Sequence, residues 1–313
     1  MTNLNDVARH AHVSKMTVSR VINHPELVSD EVRVLVERSI KELNYIPNKA
    51  GIALATRQKF VIQFMILEDV EVAEPNYAIL LLYLADVLQA NGFSLEIVYQ
   101  ISDTSKVDAI IVSGWRESDL EMLSKMDIPV ILYGEGHDDV ALPYVDSDNR
   151  NGTYQATEHL IKTGYEKIIY IGIEIKLPFT KSRELGYCDA VVANKLPAII
   201  YTADNHSHAA EAVVDNLLPK LEKDTAFVCS SDRIALGVMR AVAKEFKIPE
   251  EIGLIGFDGV FIDRITSPQL STIRQPFPEI AEELANNTLN AIKRKNTENK
   301  LIVPELIIRN SCR

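Results

Sequence analysis

The sequence is poor in cysteine and has no long hydrophobic run. Its three cysteines, Cys188, Cys229 and Cys312, are far apart and odd in number, which argues against a disulfide framework and against a zinc site. The amino-terminal region has no apolar segment of the kind that directs secretion, and no apolar run approaches the length of a membrane span. We therefore expect a protein of the reducing cytoplasm with no membrane contact.

The sequence motifs of common enzyme classes are also missing. There is no G-x-S-x-G, no Walker-type loop, no G-x-G-x-x-G and no metal-ligand spacing of His and Cys. His206 and His208 lie in a polar turn, where we expect them to have no partners. The sequence therefore predicts that the protein is not an enzyme and that it holds neither a metal nor another cofactor.

The net charge of −11 hides a small cationic segment. Residues 1–59 carry nine Lys and Arg against six Asp and Glu, whereas the remaining residues carry 24 against 38. Otherwise the composition, 47% hydrophobic and 25% charged, is that of an ordinary globular protein. A chain of 313 residues can form two or three folding units. The charge distribution indicates a small cationic module on an acidic body.

The first 47 residues predict three short helices. In the second helix, Val18 and Val21 lie on one face after Ser14, whose hydroxyl is a good N-cap. The third helix is expected to begin at a Ser29 cap and to continue to Pro47, which disfavours helical backbone before it. Such a bundle leaves its second helix free to enter a DNA major groove. The alternative is a generic helical subdomain with a polar face.

Four motifs of this segment together resemble the DNA-binding headpiece of the LacI/GalR family of bacterial transcription repressors. They are D-V-A, V-S-x-x-T-V-S-R-V, Y-x-P-N and an A-x-x-L-like hinge. The resemblance implies a helix-turn-helix domain over residues 1–47 and a hinge over residues 48–59. It implies that Lys15, Met16 and Arg20 read bases. It also implies that phosphates or register are held by four further residues, Ser14, Thr17, Ser19 and Asn23.

The resemblance also predicts how the hinge acts. In this family the hinge folds when two copies pair on DNA, and a leucine from each copy enters the minor groove. The matching residue is Leu54, with Asn48 earlier in the same hinge. The alternative is that Leu54 packs against the body. Gly51 stands where Ala or Gln is expected, and we expect it to make the free hinge more flexible.

Residues 60–313 alternate apolar strand candidates with helical stretches. Two such series predict an α/β core of two doubly wound parallel-sheet subdomains, which resembles the periplasmic-binding-protein-like core of the same family. We expect one subdomain at about residues 60–145 and 276–300, and the other at about 146–275 and 301–313. A ligand is expected where the carboxyl ends of both sets of strands face each other.

The resemblance implies a set of effector-binding residues in loops that follow these strands. Arg183 and Asp258 match a ligand-binding arginine and its acidic partner, the alternative being a structural ion pair. Ser231 and Asp232 stand at the family's N-D position, and Ser in place of Asn puts the usual contact in doubt. The remaining predicted effector residues are Tyr77, Trp115, Asp148, Asn151 and Gln275.

Two departures from the family pattern concern the first subdomain. Only a short stretch at about residues 100–107 stands where the family usually has a helix, so we expect one sheet face to lack its cover. The preceding helix, residues 77–88, is apolar nearly all round, which predicts burial on every side and a second subunit over it. "EPNY" replaces the frequent N-P-F-F, so Glu74 or Asn76 is expected to alter the effector.

These features predict a repressor that binds a palindromic operator as a homodimer under the control of a small effector. A sugar effector and a carbohydrate-utilisation operon are the expectation, with a purine- or nucleoside-responsive regulator as the alternative. A sugar-binding receptor without a regulatory role is disfavoured by the headpiece. No leucine heptads follow the last predicted strand, so a dimer rather than a tetramer is expected.

Overall fold

The computed structural model describes residues 2–23, 27–45, 58–68, 75–100, 104–136 and 141–313. Asn48, Gly51, Leu54 and Glu74 lie outside these residues, and so do most of the predicted hinge positions. The chain divides into two compact units. The first comprises Met1–Phe60 with Lys106–Asp108, and the second comprises Val61–Ser105 with Ala109–Arg313.

The described residues of the first unit form three helices, as predicted. They are α1 (Leu4–His10), α2 (Lys15–Asn23) and α3 (Asp30–Glu42). Asn3 caps α1 by accepting from the backbone N–H groups of Asn5 and Asp6. Apolar side chains from all three helices form one small core, in which Val7, Val18 and Val36 are fully buried.

The predicted boundaries of α3 need correction. The helix ends at Glu42 rather than near Pro47, because Asn44 adopts left-handed backbone with φ of 47° and so stops the helix as glycine or asparagine commonly does. Ser29 stands at the N-cap position as predicted, but its side chain makes no capping hydrogen bond. The helix start is stabilised instead by the acidic side chains of Asp30 and Glu31, which lie in the first turn beside the positive end of the helix dipole.

The second unit contains two six-stranded sheets. Its strands are β1 (Val61–Ile66), β2 (Ser94–Val98), β3 (Ala109–Ser113), β4 (Val130–Tyr133), β5 (Tyr144–Ser147), β6 (Lys167–Ile173), β7 (Ile200–Ala203), β8 (Thr225–Cys229), β9 (Ile252–Asp258), β10 (Ser271–Arg274), β11 (Lys300–Ile302) and β12 (Glu305–Ile307). The first sheet has the order β11-β5-β4-β3-β1-β2, and all its pairs are parallel. The second has the order β12-β10-β9-β8-β6-β7, and only β12 is antiparallel.

Helices join most successive strands. They are α4 (Pro75–Ala90), α5 (Leu120–Ser124), α6 (Asn149–Lys162), α7 (Pro178–Ala193), α8 (Ser207–Asp215), α9 (Asp232–Val242), α10 (Ile262–Ile265) and α11 (Phe277–Ile292). The inner strands β3 and β8 are buried along their whole length, because chain covers both faces of a parallel sheet. The predicted architecture of two doubly wound subdomains is thereby confirmed.

The chain passes between the two sheets three times. It leaves the first sheet after β5, returns from the second after β10, and crosses again between β11 and β12. Each passage lies near the carboxyl end of a strand, so these ends of the two sheets face a common space. Asp146, Asp258 and Gln275 lie close to the first two passages.

Helix α4 is buried along one stripe only. Leu80, Leu84 and Leu88 are fully buried at a spacing of four residues, whereas Leu82 is 70% exposed and Tyr83 is 44% exposed. Within one chain the other side of this helix is therefore exposed, and its cover by a second subunit stays a prediction. The sequence predicts that the crossover from β2 to β3 lacks the usual helix. The described part of this crossover contains one 3-10 turn (Thr104–Lys106).

No helix among the described residues combines the length and the apolar character that a membrane span requires.

Candidate functional site

Helix α2 presents the predicted DNA-reading side chains to solvent. Val18 is fully buried against the other two helices, which turns the opposite side of α2 outward. Lys15, Met16 and Arg20 are exposed, and Met16 is exposed over 70% of its surface. Two long cations and a thioether on one accessible helix surface suit contact with base edges and phosphates.

The hydroxyl of Ser14 caps this helix. It accepts from the backbone N–H of Thr17 at 3.0 Å and lies 2.8 Å from the Thr17 hydroxyl. Ser14 and Thr17 thus form a small hydroxyl pair at the amino end of α2, where the positive end of the helix favours phosphate. Ser19 is half-buried. For Asn23 the structure gives only its place as the last residue of α2.

A cavity of about 320 Å³ lies between the carboxyl ends of the two sheets. Its volume is at the small end of the range for small-molecule sites. Six of the eight predicted effector residues line it, and they come from both halves of the second unit: Tyr77, Trp115, Arg183, Ser231, Asp258 and Gln275. These residues are distant in sequence and are brought together by the facing strand ends.

Arg183 and Asp258 occupy the second-sheet side of this cavity. Nη1 of Arg183 lies 3.5 Å from Oδ1 of Asp258, and both side chains are nearly buried. Arg183 also donates from Nε to the amide oxygen of Asn149 at 2.8 Å, and its guanidinium lies 3.6 Å from the centre of the Phe257 ring. The pair is an ion pair within the protein and is also part of the cavity wall, so the two interpretations do not exclude each other.

Asp232 holds the loop that carries Asp258. Its buried carboxylate accepts from the backbone N–H groups of Gly259 and Val260 at 3.1 and 3.2 Å and from the Thr272 hydroxyl at 2.6 Å. Burial raises the pKa of Asp232 well above its usual range. Asp258 has a φ of 121°, which is strained for a residue with a Cβ and is maintained by these contacts.

Two further carboxylates, half-buried Glu68 and buried Asp146, line the first-sheet side. Glu68 accepts from the hydroxyl of Tyr77, which also lies 2.5 Å from the Ser113 hydroxyl. Asp146 accepts from the backbone N–H groups of Glu135 and Ser147 at 3.0 and 2.7 Å and from the amide of Asn149 at 2.9 Å. Burial raises the pKa of Glu68, and it raises the pKa of Asp146 to about 7.

Two predicted effector residues lie away from the cavity wall. Asp148 caps helix α6 by accepting from the backbone N–H of Asn151 at 3.0 Å. Asn151 accepts from Gln155 on the outer side of the same helix. Their nearby residue Asp146 lines the cavity instead. The reason is that β5 ends at Ser147, so the strand itself carries Asp146 to the cavity and the helix cap begins only afterwards.

His206 also corrects a prediction. It lines the cavity in the loop after β7, and its ring centre lies 5.5 Å from that of His208. The expectation that these histidines have no partners is therefore wrong. Other lining residues that the sequence interpretation missed are Ser113, Tyr133, Asp146, Phe179, Asp204, Asn205 and Arg233. Tyr133 and Asp204 lie at or just after strand ends, and that position was the available signal for them.

Comparison with known proteins identifies both parts of the chain. Residues 3–48 match the family described as bacterial regulatory proteins, lacI family. Residues 157–312 match a periplasmic binding protein-like domain. The chain is 40% identical over 316 residues to the uncharacterized HTH-type transcriptional regulator YvdE of Bacillus subtilis (strain 168), with 99% of each chain covered. It is 30% identical to the HTH-type transcriptional repressor PurR of Actinobacillus pleuropneumoniae serotype 3 (strain JL03), with 100% and 99% covered.

Solved structures agree with this fold. A complex of the transcriptional regulator CelR with cellobiose has a TM-score of 0.72 and 27% identity, with 99% of this chain and 100% of that chain covered. The lac repressor dimer bound to operator and an anti-inducer has a TM-score of 0.74 and 22% identity, with 99% and 98% covered, which shows the shared fold. The chain therefore belongs to the lacI family of bacterial regulatory proteins, as a DNA-binding transcriptional regulator with an effector-binding core and not as an enzyme.

Proposed function

We propose that this protein represses a carbohydrate-utilisation operon in the bacterial cytoplasm and that a sugar in the cavity controls its affinity for a palindromic operator. The observation that carries the proposal is the cavity wall, which combines aromatic rings with the two buried carboxylates Asp146 and Asp258 and with half-buried Glu68. Carboxylates accept hydrogen bonds from vicinal hydroxyls, and aromatic faces pack against the apolar side of a sugar ring. The chain is also 27% identical to the ribose operon repressor of Haemophilus influenzae.

The DNA-binding part of the proposal places Lys15, Met16 and Arg20 in the major groove. Arg20 can donate twice to guanine O6 and N7, while Ser14 and Thr17 hold phosphates and carry no sequence information themselves. Ser19 and Asn23 support the register of the helix. In the hinge, Leu54 is proposed to enter the minor groove from each subunit, with Asn48 and Gly51 in the same segment.

The dimer part of the proposal places a second copy over helix α4. Leu82 and Tyr83 are exposed on this helix, and Ile97 and Tyr99 are exposed on and just after the edge strand β2. Exposed large apolar side chains on neighbouring elements are typical of a protein interface. A closed two-fold dimer would give two copies of α2, which matches the symmetry of a palindromic operator.

Selection of DNA from a random-sequence library by the purified protein tests the operator part. The expected result is an inverted repeat whose half-sites are about one helical turn apart. A thermal-shift screen of sugars and nucleobases tests the effector part, because a ligand that binds only the native state raises the melting temperature. Recovery of no symmetric site would contradict the proposed operator, and stabilisation by purine bases alone would replace the sugar by the alternative effector.

A further inference from the structure

Four cations lie within eight residues of the effector-binding core. They follow helix α11 and are Lys293, Arg294, Lys295 and Lys300. We call residues 293–300 the basic loop, in which Glu298 is the only acidic residue. The rest of residues 60–313 carries 20 Lys and Arg against 37 Asp and Glu, and no other eight-residue window after residue 60 contains four Lys or Arg. The basic loop is therefore a concentrated positive charge on an acidic body.

The four cationic side chains are exposed, and the described part of the chain gives them no ion-pair partner. Other cations of the core are neutralised internally: Lys223 pairs with Glu251 at 2.7 Å, and Lys244 pairs with Asp215 at 2.7 Å. Cations also favour the negative carboxyl end of a helix such as α11, but Lys300 lies on strand β11, beyond that end. The charge of the basic loop is thus directed to solvent rather than to the fold.

Hydrogen bonds to helix α11 fix the backbone of the basic loop. Asn287, only 5% exposed, donates to the backbone oxygen of Glu298 at 3.1 Å and accepts from its N–H at 3.0 Å. The N–H of Lys295 donates to the backbone oxygen of Asn290 at 2.9 Å. Arg294 has a φ of 54°, at a position after a helix where glycine or asparagine is common. Because the loop is already ordered, it loses little backbone freedom when it binds a partner.

The basic loop lies at the edge of the first sheet where the chain enters the effector-binding core. Lys300 is the first residue of β11, and Val61 is the first residue of β1. All pairs of this sheet are parallel, so both residues lie at the same edge, four inter-strand spacings or about 19 Å apart. The residues before Val61 lead to the DNA-binding helices. The cations therefore lie at the end of the core to which the DNA-binding unit is covalently joined, and the cavity lies at the opposite end of the strands.

The chemistry of the basic loop suits the phosphates of DNA. Ammonium and guanidinium groups bind phosphate without reading the sequence. The acidic remainder of the core repels a duplex, and a local group of cations offsets this repulsion. DNA is also the polyanion that the same chain holds through its amino-terminal helices, so its effective concentration at the core is high.

We propose, on the basis of the operator binding proposed above, that the basic loop contacts the phosphates of duplex DNA beside the operator. These contacts add sequence-independent affinity to the contacts that helix α2 makes with the operator itself. In a two-fold dimer the two loops act on both sides of the operator. Each phosphate that a cation neutralises releases counterions, so it adds about 0.9 to the slope of log affinity against log salt.

Fluorescence anisotropy with two duplexes tests this inference. One duplex carries the selected inverted repeat alone, in about 20 base pairs, and the other adds about 20 base pairs on either side. The variant combines Lys293→Gln, Arg294→Gln, Lys295→Gln and Lys300→Gln. On the longer duplex it should bind at least about tenfold more weakly than wild type at about 0.1 M salt, with a salt slope that is less steep by about two or more. On the shorter duplex it should bind as wild type does.

Two control proteins separate local contact from total charge and from shape. The first removes four exposed lysines of the second-sheet half by Lys176→Gln, Lys195→Gln, Lys220→Gln and Lys247→Gln. Charges farther away than the Debye length of about 10 Å are screened at this salt, so this control should bind the longer duplex within about twofold of wild type. The second keeps the charge of the basic loop by Lys293→Arg, Lys295→Arg and Lys300→Arg, and it should retain both affinity and salt slope. Circular dichroism checks that every variant is folded.

Three results overturn the inference. They are an equal loss in the basic-loop variant and the first control, an equal loss on both duplexes, and a comparable loss in the charge-retaining variant. Wild-type binding of both duplexes by the basic-loop variant also overturns it and leaves the loop to a negatively charged partner protein. If wild type selects no inverted repeat, the operator proposal fails, while the salt slopes on a mixed-sequence duplex of about 60 base pairs still test the basic loop.

Discussion

The hydroxyl of Ser182 donates to the carboxylate of Glu135 at 2.5 Å, which joins helix α7 beside the second sheet to the loop that follows β4 of the first. A second bond across the cavity runs from the side chain of Asn76 to Asp258. Both bonds connect the two halves of the effector-binding core without any ligand. The relative position of the halves is therefore set in part by polar contacts that an effector can strengthen or replace.

Removing the first of these bonds should weaken effector binding. The Ser182–Glu135 bond forms only when the two halves are close together. Ser182→Ala removes this bond and so lowers the population of the closed form. A hydrogen bond to a charged group is worth about 1.5–3 kcal/mol, and part of that should appear as a several-fold weaker effector affinity in calorimetry. Ser124→Ala, in an exposed helix of the first half, is the control. An affinity equal to wild type in Ser182→Ala would show that the bond does not contribute to closure.

Arg20 should carry sequence discrimination. Arg20→Ala is expected to cost about 1–3 kcal/mol of operator affinity and to reduce the preference for operator over scrambled DNA. The helix itself should persist, because its buried face and its Ser14 cap are untouched. Fluorescence anisotropy with both DNA fragments measures the ratio, and Lys125→Ala in the effector-binding core is the matched loss of one exposed cation. Full discrimination by Arg20→Ala would contradict the assignment.

Substitutions at Leu82 and Leu84 should distinguish a loss of dimerisation from a loss of folding. Leu84 is fully buried in its own chain and Leu82 is 70% exposed, although they are two residues apart on α4. Leu82→Glu should therefore give a folded monomer, whereas Leu84→Glu should unfold the effector-binding core because it buries an unpaired charge. Sedimentation velocity and circular dichroism distinguish these results. A stable dimer of Leu82→Glu would place the second copy elsewhere.

Asp146 should make stability depend on pH. Burial raises its pKa from 3.8 to about 7 in the folded protein, so the folded state holds this proton more tightly than the unfolded state. Its contribution to stability is full below pH about 4 and is lost as the pH rises to about 7. Relative to Asp146→Asn, wild type should lose up to about 1.4 kcal/mol of unfolding free energy per pH unit in that window. Urea denaturation across it measures this difference, and a constant difference would exclude the titration.

The sequence was most informative where periodicity and position determine the structure. The βαβ alternation predicted both sheets, and six residues placed after strand ends do line one cavity. Asp148 and Asn151 were misplaced because the end of β5 cannot be fixed to within a residue or two by pattern alone. Asp232 and Asn76 depend on distant partners, Thr272 and Asp258, whose proximity exists only in the fold. The end of α3 at Asn44 was missed because the helix stops at a left-handed residue before reaching the proline.

Trp115 should report effector binding directly, because it is the chain's single tryptophan and lines the cavity with its Nε1 unpartnered among the described residues. A ligand in the cavity changes the polarity around the indole, so the emission should shift when the true effector binds. One ligand can change operator affinity only through its different affinities for the two forms of the protein, so emission and operator affinity should change with the same midpoint.

Asp258→Asn should move both midpoints to the same higher concentration, because both depend on one binding event. Arg183→Ala is unsuitable as a probe, because it would leave Asp258 buried without its ion-pair partner and destabilise the core by several kcal/mol. Midpoints that separate in wild type or in Asp258→Asn would mean that the ligand acts on DNA binding from a different site.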